Sequence, residues 1–327
     1  MSRSWNALSL RVLAGEPLGR ADALNILSAP DDELLALVDA AFSVRQVFFG
    51  RDVNLHVLCN AKSGACGEDC AFCSQSAVAT SDISRYPMKR VEEIVAGARE
   101  AHRLGAVKYC TVISGRSPSA RDMETICEAL RRIKAEMKMH LCVSVGLLTD
   151  RLAAELKEAG ADRINHNLET SRRFFPRICT THRYEDRVET VVRAKAAGLE
   201  ICCGGLVGMG ETEEDRVDLA LALRELGVHS IPVNFLDPRA GTPLAGLSRL
   251  SPRDCLRTLV MFRMTNPATD IRAAGGREAN LGALQVLALY VANSIFTQGY
   301  LTTPGQGYPE DLAMIESAGF RVGRIEA

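Results

Sequence analysis

The chain has 327 residues, 47% of them hydrophobic and 24% charged, with a net charge of −1. That length permits one large domain or two average ones, and the apolar fraction is ample for a sizeable core. The balanced charge leaves no basic field for nucleic acid, and no run of about 18 apolar residues is present to span a membrane.

In chain order, the N-terminal region carries Arg3, Arg11 and Arg20 with no acid before Glu16. This bias leans towards a transit peptide, but an N-terminal helix explains it better, and the expected location is the cytoplasm. Asp31-Asp32-Glu33 opens a strongly periodic helix that runs to Phe49. From residue 50 onward, short apolar runs alternate with amphipathic stretches. The spacing predicts strands over 53–58, 107–113, 140–145, 163–167, 199–203, 230–234, 270–273 and 294–296. It predicts helices over 91–104, 121–139, 150–159, 184–197, 213–226, 252–264 and 277–292. Gly105, Gly160, Gly198 and Gly227 stand where helices stop, as C′ residues. Strand, helix and glycine repeated about eight times reads as an α/β fold, a (β/α)8 TIM-type barrel. A doubly wound open sheet is the alternative, weakened by the lack of a glycine-rich fingerprint after the first strand. The expected layout is a single domain over 1–327: an N-terminal helical extension (1–50), the barrel (about 51–300) and a C-terminal extension (301–327).

The chemistry concentrates in cysteine. Cys66, Cys70 and Cys73 form a C-x3-C-x2-C run in the loop after the first strand. A barrel places that loop on its C-terminal face, where active sites form. Three thiolates can hold three irons of a cubane cluster and leave the fourth open to a small molecule. Zinc is the competing reading, with His56 or Cys59 upstream as a fourth ligand. A disulfide framework does not suit a long chain with an odd count of 11 cysteines. Cys110, Cys142 and either Cys202 or Cys203 fall on separate expected strands, close enough for a second small cluster, although buried packing is the default for any one of them. Strand alternation allows only one of Cys202 and Cys203 to face inward, and parity alone leaves the choice open. Packing is also expected for Cys59, Cys127, Cys179 and Cys255, and loop orientation for His166 and His182.

Over roughly residues 30–310 the chain resembles the biotin synthase family of radical S-adenosylmethionine (SAM) enzymes. The resemblance rests on Lys62-Ser63-Gly64-Ala65-Cys66 running into Cys70 and Cys73-Ser74-Gln75-Ser76, then Asn165-His166-Asn167-Leu168-Glu169-Thr170-Ser171 and Thr180-Thr181-His182. Further on come Gly204-Gly205-Leu206-Val207-Gly208-Met209-Gly210-Glu211-Thr212, Pro232-Val233-Asn234, Gly241-Thr242-Pro243-Leu244, Arg272 with Ala274-Gly275-Gly276-Arg277-Glu278, Ala292-Asn293-Ser294-Ile295-Phe296 and Leu301-Thr302-Thr303-Pro304.

The resemblance implies a [4Fe–4S] cluster on Cys66, Cys70 and Cys73 that binds SAM, and a [2Fe–2S] cluster on Cys110, Cys142, Cys202 and Arg272. It implies SAM contacts from Arg187, Asn167 and Glu169, and substrate contacts from Asn234 and Asn167. On periodicity alone Arg187 is a solvated helical arginine, and Glu169 replaces the family's aspartate with one more methylene. The implied reaction is radical insertion of sulfur into dethiobiotin, closing the ring of biotin, with the smaller cluster as sulfur donor and no side chain acting as acid or base. A homodimer, a flavodoxin or ferredoxin reductant and iron–sulfur assembly proteins are implied partners. The rival functions are another radical SAM barrel, such as a hydrogenase-cofactor maturase or a methylornithine-forming enzyme, and a non-catalytic iron–sulfur electron carrier. The foursome Cys110, Cys142, Cys202 and Arg272 separates the first rival, and SAM cleavage the second.

Overall fold

The computed structural model describes residues 5–302 and 305–323, so Arg3 and the motif residues Thr303 and Pro304 lie outside the described residues. The strands are β1 (Asp52–Lys62), β2 (Lys108–Ile113), β3 (His140–Ser144), β4 (Arg163–Asn165), β5 (Glu200–Cys202), β6 (Gly205–Val207), β7 (Ser230–Phe235), β8 (Asp270–Ala273), β9 (Ser294–Phe296) and β10 (Arg321–Val322). The helices are α1 (Trp5–Leu13), α2 (Arg20–Leu27), α3 (Leu34–Phe49), α4 (Val91–Arg103), α5 (Ala120–Glu136), α6 (Asp150–Glu158), α7 (Tyr184–Ala196), α8 (Glu213–Glu225), α9 (Pro252–Thr265), α10 (Arg277–Leu281), α11 (Gln285–Ala288) and α12 (Tyr308–Ser317).

The strands pair in parallel in the order β1-β2-β3-β4-β5-β7-β8-β9, and β9 returns to β1 through Asn54↔Ser294 and His56↔Phe296. That last pairing closes the barrel and excludes the open sheet. β6 continues the line of β5 past a break at Cys203 and Gly204, and pairs with β7. Gly204 is required there: a Cβ would sit 2.0 Å from the Pro232 carbonyl oxygen.

Alternation along each strand separates two chemistries. Leu55, Tyr109, Leu141, Val143, Ile164, Ile201, Ile231, Ile271 and Ile295 join the apolar shell between barrel and helices. The opposite parity carries His56, Lys108, Cys110, Cys142, Arg163 and Arg272, which line the interior. The outer helices start at side-chain caps: Ser119, Thr149, Thr212 and Ser251 each accept from a backbone N–H in the first turn. Each such cap contributes about 1 kcal/mol. The four glycines expected to end helices all have positive φ, between 60° and 99°.

Two expectations change. The helix read over 277–292 is broken: α10 ends at Gly282, whose φ is +51°, and a 3-10 turn (Gly282–Leu284) leads into α11. Buried Arg277 pins this break by donating to Gln285, Glu278 and, at 2.7 Å, to Asp311 on α12. The C-terminal extension, for which the spacing marked no helix or strand, contains both. It supplies α12, and β10 adds to the start of β1 through Asp52↔Arg321. At the N-terminal side, α1 and α2 precede a 3-10 turn (Asp31–Glu33) that leads into α3. No helix among the described residues is long and apolar enough to cross a membrane.

Candidate active site

The loop after β1 begins under backbone strain, with Ala65 at φ +52° directly before Cys66. It is clamped to the segment between β4 and α7. The Asp69 carboxylate accepts from the Thr180 and Thr181 amides at 2.9 and 3.2 Å, and Ala71 N donates to Ile178 O at 2.8 Å. Gln75 Oε1 accepts from Gly64 N at 2.9 Å, which folds the loop back on itself. Held this way, Cys66, Cys70 and Cys73 all line one cavity of about 310 Å³ that runs into the barrel. Burial pushes the Cys73 thiol up to about 11. The Cys70 thiol is raised further, first by its contact with Cys179 and then by burial.

Deeper in the same cavity, Cys110 and Cys142 are register partners on β2 and β3. The Cys110 thiol is held well above its ordinary value, by Cys142 first and then by burial. Cys202 Sγ accepts from Asn165 Nδ2 at 3.1 Å and from Arg272 Nη1 at 3.5 Å. Cys203 belongs instead to the apolar shell, with Ile201. Arg272 is 2% exposed, lies over the Phe296 ring at 4.9 Å, and donates from Nη2 to Ser230 Oγ at 2.9 Å and His56 Nε2 at 3.3 Å. Its Nε is buried without a hydrogen-bond partner. Burial works against the Arg272 charge, but Cys202 and Asp270 outweigh it and raise the pKa.

A third group lies at the C-terminal ends of β4 and β7. Arg187 on α7 is 9% exposed and not solvated. It donates to His182 Nε2 at 2.9 Å, to Asn167 O at 2.8 Å and to Glu169 Oε1 at 3.3 Å. Glu169 sits at φ +69°, and burial raises its carboxyl against the pull of Arg187. Asn167 Oδ1 accepts from Gly204 N at 3.1 Å. Asn234 donates to Gly205 O at 3.0 Å and accepts from Gly275 N at 2.9 Å. Its amide therefore has one donor and one lone pair committed to backbone, with the second of each remaining. Arg187, Asn167, Glu169 and Asn234 all line the cavity that holds the cysteines.

Some of the site was not read from sequence. Asp270 gathers Lys108 at 3.6 Å, Arg163 at 3.8 Å and Arg272 at 3.5 Å around one carboxylate. Burial opposes its charge, yet these cations hold it well below the usual carboxylate range. The signal was available: Asp270 shares strand parity with Arg272, as Lys108 does with Cys110. Tyr300 and Leu301 also line the cavity, Leu301 at φ +52°, from a segment whose composition marks it only as loop.

Residues 61–223 match the Radical SAM superfamily, and residues 232–321 match the Biotin and Thiamin Synthesis associated domain. A biotin synthase of Salinibacter ruber is 55% identical over 323 residues, covering 99% of this chain and 90% of its own. A biotin synthase of Geobacillus thermodenitrificans is 49% identical over 319 residues, covering 98% and 96%. Among solved structures, methylornithine synthase superposes with a TM-score of 0.86 at 22% identity, covering 97% of each chain. The FeFe-hydrogenase maturase HydG from Carboxydothermus hydrogenoformans gives 0.82 at 17%, covering 99% of this chain and 80% of its own. At those identities the two structures speak to the fold alone.

Proposed function

The chain belongs to the biotin synthase family within the radical SAM superfamily, and from that membership we propose that it inserts sulfur into dethiobiotin to form biotin. The observation that carries this reading is one cavity lined by Cys66, Cys70 and Cys73 from a loop and by Cys110, Cys142 and Arg272 from strands, with Cys202 joined to it through its contact with Arg272. Superfamily membership implies a [4Fe–4S] cluster and SAM. Cys66, Cys70 and Cys73 fit the larger cluster, being three thiols on one clamped loop with no fourth protein ligand required. Cys110, Cys142, Cys202 and Arg272 fit a [2Fe–2S] cluster, and the unpartnered Arg272 Nε marks a guanidinium whose hydrogen bonding is incomplete. Arg272 would meet such a cluster through its guanidinium, with Ser230 and His56 holding Nη2. When bound, these groups supply the radical and sulfur chemistry that a saturated C–H bond demands and that acid–base side chains cannot.

The protein's own work is binding and exclusion. Arg187 would offer its remaining Nη2 donors to the SAM carboxylate, with Nε and Nη1 held by His182, Asn167 and Glu169. Glu169, held by Arg187, would accept from a ribose hydroxyl. Asn234 offers its remaining donor and lone pair to the cyclic urea of the substrate. The closed barrel wall keeps water and stray hydrogen donors from the reacting carbons. A single cytoplasmic domain over 1–327, a homodimer, a flavodoxin or ferredoxin reductant and iron–sulfur assembly proteins complete the reading.

The test is anaerobic reconstitution of the full chain. Iron and sulfide content with Mössbauer spectra should report two cluster types, and dethiobiotin with SAM and reductant should yield 5′-deoxyadenosine and biotin. SAM cleavage without biotin, in protein holding only the larger cluster, would return the chain to a more general radical SAM role.

A further inference from the structure

A further group of side chains with metal-ligand chemistry, Cys70, Cys179 and His182, lies at the cysteine loop and shares Cys70 with it. Cys70 Sγ is 3.8 Å from Cys179 Sγ, and Cys179 Sγ is 3.3 Å from His182 Nδ1. The donor atoms of the three residues all fall within 4.8 Å of one another, and all three residues are buried. A tetrahedral zinc with bonds of about 2.3 Å to sulfur and 2.0–2.1 Å to nitrogen spans S···S edges of about 3.8 Å and S···N edges of about 3.5 Å. The Cys70–Cys179 separation matches the S···S edge, and the Cys179–His182 separation of 3.3 Å is close to the S···N edge. Glu68 hydrogen-bonds the same His182 Nδ1 through Oε2 and so stands next to the site as an oxygen donor.

We propose that the cluster-free chain binds a zinc ion through Cys70, Cys179 and His182, with Glu68 completing the tetrahedron. The frame is rigid because the Asp69 carboxylate ties the Cys70 loop to the Thr180 and Thr181 amides, which fixes the two sulfurs at this spacing. Zinc displaces the proton that His182 Nδ1 shares with Glu68. Nε2 is then the protonated nitrogen, so the Arg187 Nε contact opens while Arg187 stays bound to Asn167 O and Glu169. Arg116, at 3.2 Å from Glu68 Oε1, holds the other carboxylate oxygen. The consequence is exclusivity. Cys70 belongs to this site and to the three-thiol loop, so zinc bound here withholds Cys70 from cluster assembly.

The experiment uses the full-length chain stripped of metal under anaerobic conditions and titrated with Co2+, then Zn2+. About one equivalent of Co2+ should bind, with thiolate charge-transfer absorption in the near ultraviolet and intense tetrahedral d–d bands, and Zn2+ should displace it. Cys179→Ser and His182→Gln should each weaken Co2+ binding by on the order of a hundredfold, with far-ultraviolet circular dichroism unchanged. Cys66→Ala should leave the cobalt spectrum intact. Unaltered binding in both Cys179→Ser and His182→Gln, or loss of binding in Cys66→Ala, overturns the site and places the metal in the three-thiol loop. As a second measurement, wild-type chain preloaded with Zn2+ should resist iron–sulfur reconstitution, while Cys179→Ser treated the same way should not. Wild-type chain that takes up no cluster even without zinc counts against the cluster assignment, and the cobalt result stands apart from it.

Discussion

At the residue scale, the pair Cys202 and Cys203 shows how one strand position decides chemistry. Alternation says that the two point oppositely but not which points inward. The structure adds a reference residue: Ile201 and Cys203 share the apolar shell, while Cys202 takes hydrogen bonds from Asn165 and Arg272 inside the barrel. Cys202→Ala should therefore abolish the visible absorption of the smaller cluster and biotin formation, with the larger cluster retained. Cys203→Ala should keep both clusters and cost about 1 kcal/mol in urea unfolding, the scale of a small buried truncation. Loss of the smaller cluster in Cys203→Ala alone would reverse the assignment. Arg187 shows the opposite limit of legibility. Its helix also carries Arg193, with Arg183 at the N-cap; spacing puts Arg187 on the face of Tyr184, Val191 and Ala194, but its partners Asn167 and His182 are set only by how α7 docks.

At the element scale, the strand and helix pattern was legible because the units repeat one periodicity and four of the helices stop at a glycine with positive φ. The broken helix after β8 was not, because the apolar spacing over 277–292 continues through Gly282 while the Arg277–Asp311 pair, remote in sequence, sets the bend. The loop after β1 was legible as a ligand carrier but not as a clamped one. Its clamp is Asp69, whose carboxyl is held well below the usual range: burial opposes the charge, but Thr180 and Thr181 hydrogen bonds prevail. A carboxyl depressed in the folded state gives stability that is complete above its unfolded value, about 3.9, and is lost as the pH falls through the folded value. Asp69→Asn should thus lower stability by about 1–2 kcal/mol at neutral pH, and the gap to wild type should close in strong acid. Urea midpoints measured across pH check the sign, and a gap that widens in acid would refute it. The same variant should assemble the larger cluster more slowly, because only the Ala71–Ile178 backbone bond still ties the loop to this segment firmly.

At the scale of the whole molecule, barrel closure was readable as a count of eight strand–helix units, whereas the ends of the chain were not, because their role depends on contacts between segments far apart in sequence. α3 and the C-terminal β10 both meet the barrel at the start of β1. Arg45 on α3 is the tie. It is fully buried, donates to the backbone carbonyls of Gly50, Asp52 and Ala292, and lies 4.6 Å over the ring of Phe320. Burial pushes its pKa down to about 10, so the guanidinium remains charged at neutral pH and its hydrogen bonds are charge-assisted. Arg45→Met keeps much of the stem but removes the donor from three carbonyls, of which Ala292 O is the buried one. The expected cost is about 2 kcal/mol, since the buried Ala292 carbonyl loses its partner while water reaches the other two in part. Arg151→Met, which removes an exposed i,i+4 pair to Glu155, should change stability by less than about 0.5 kcal/mol. Urea unfolding of the two variants side by side checks the contrast. Equal stabilities would mean that water replaces the Arg45 bonds at the barrel base, and that the N-terminal helices are held by apolar packing alone.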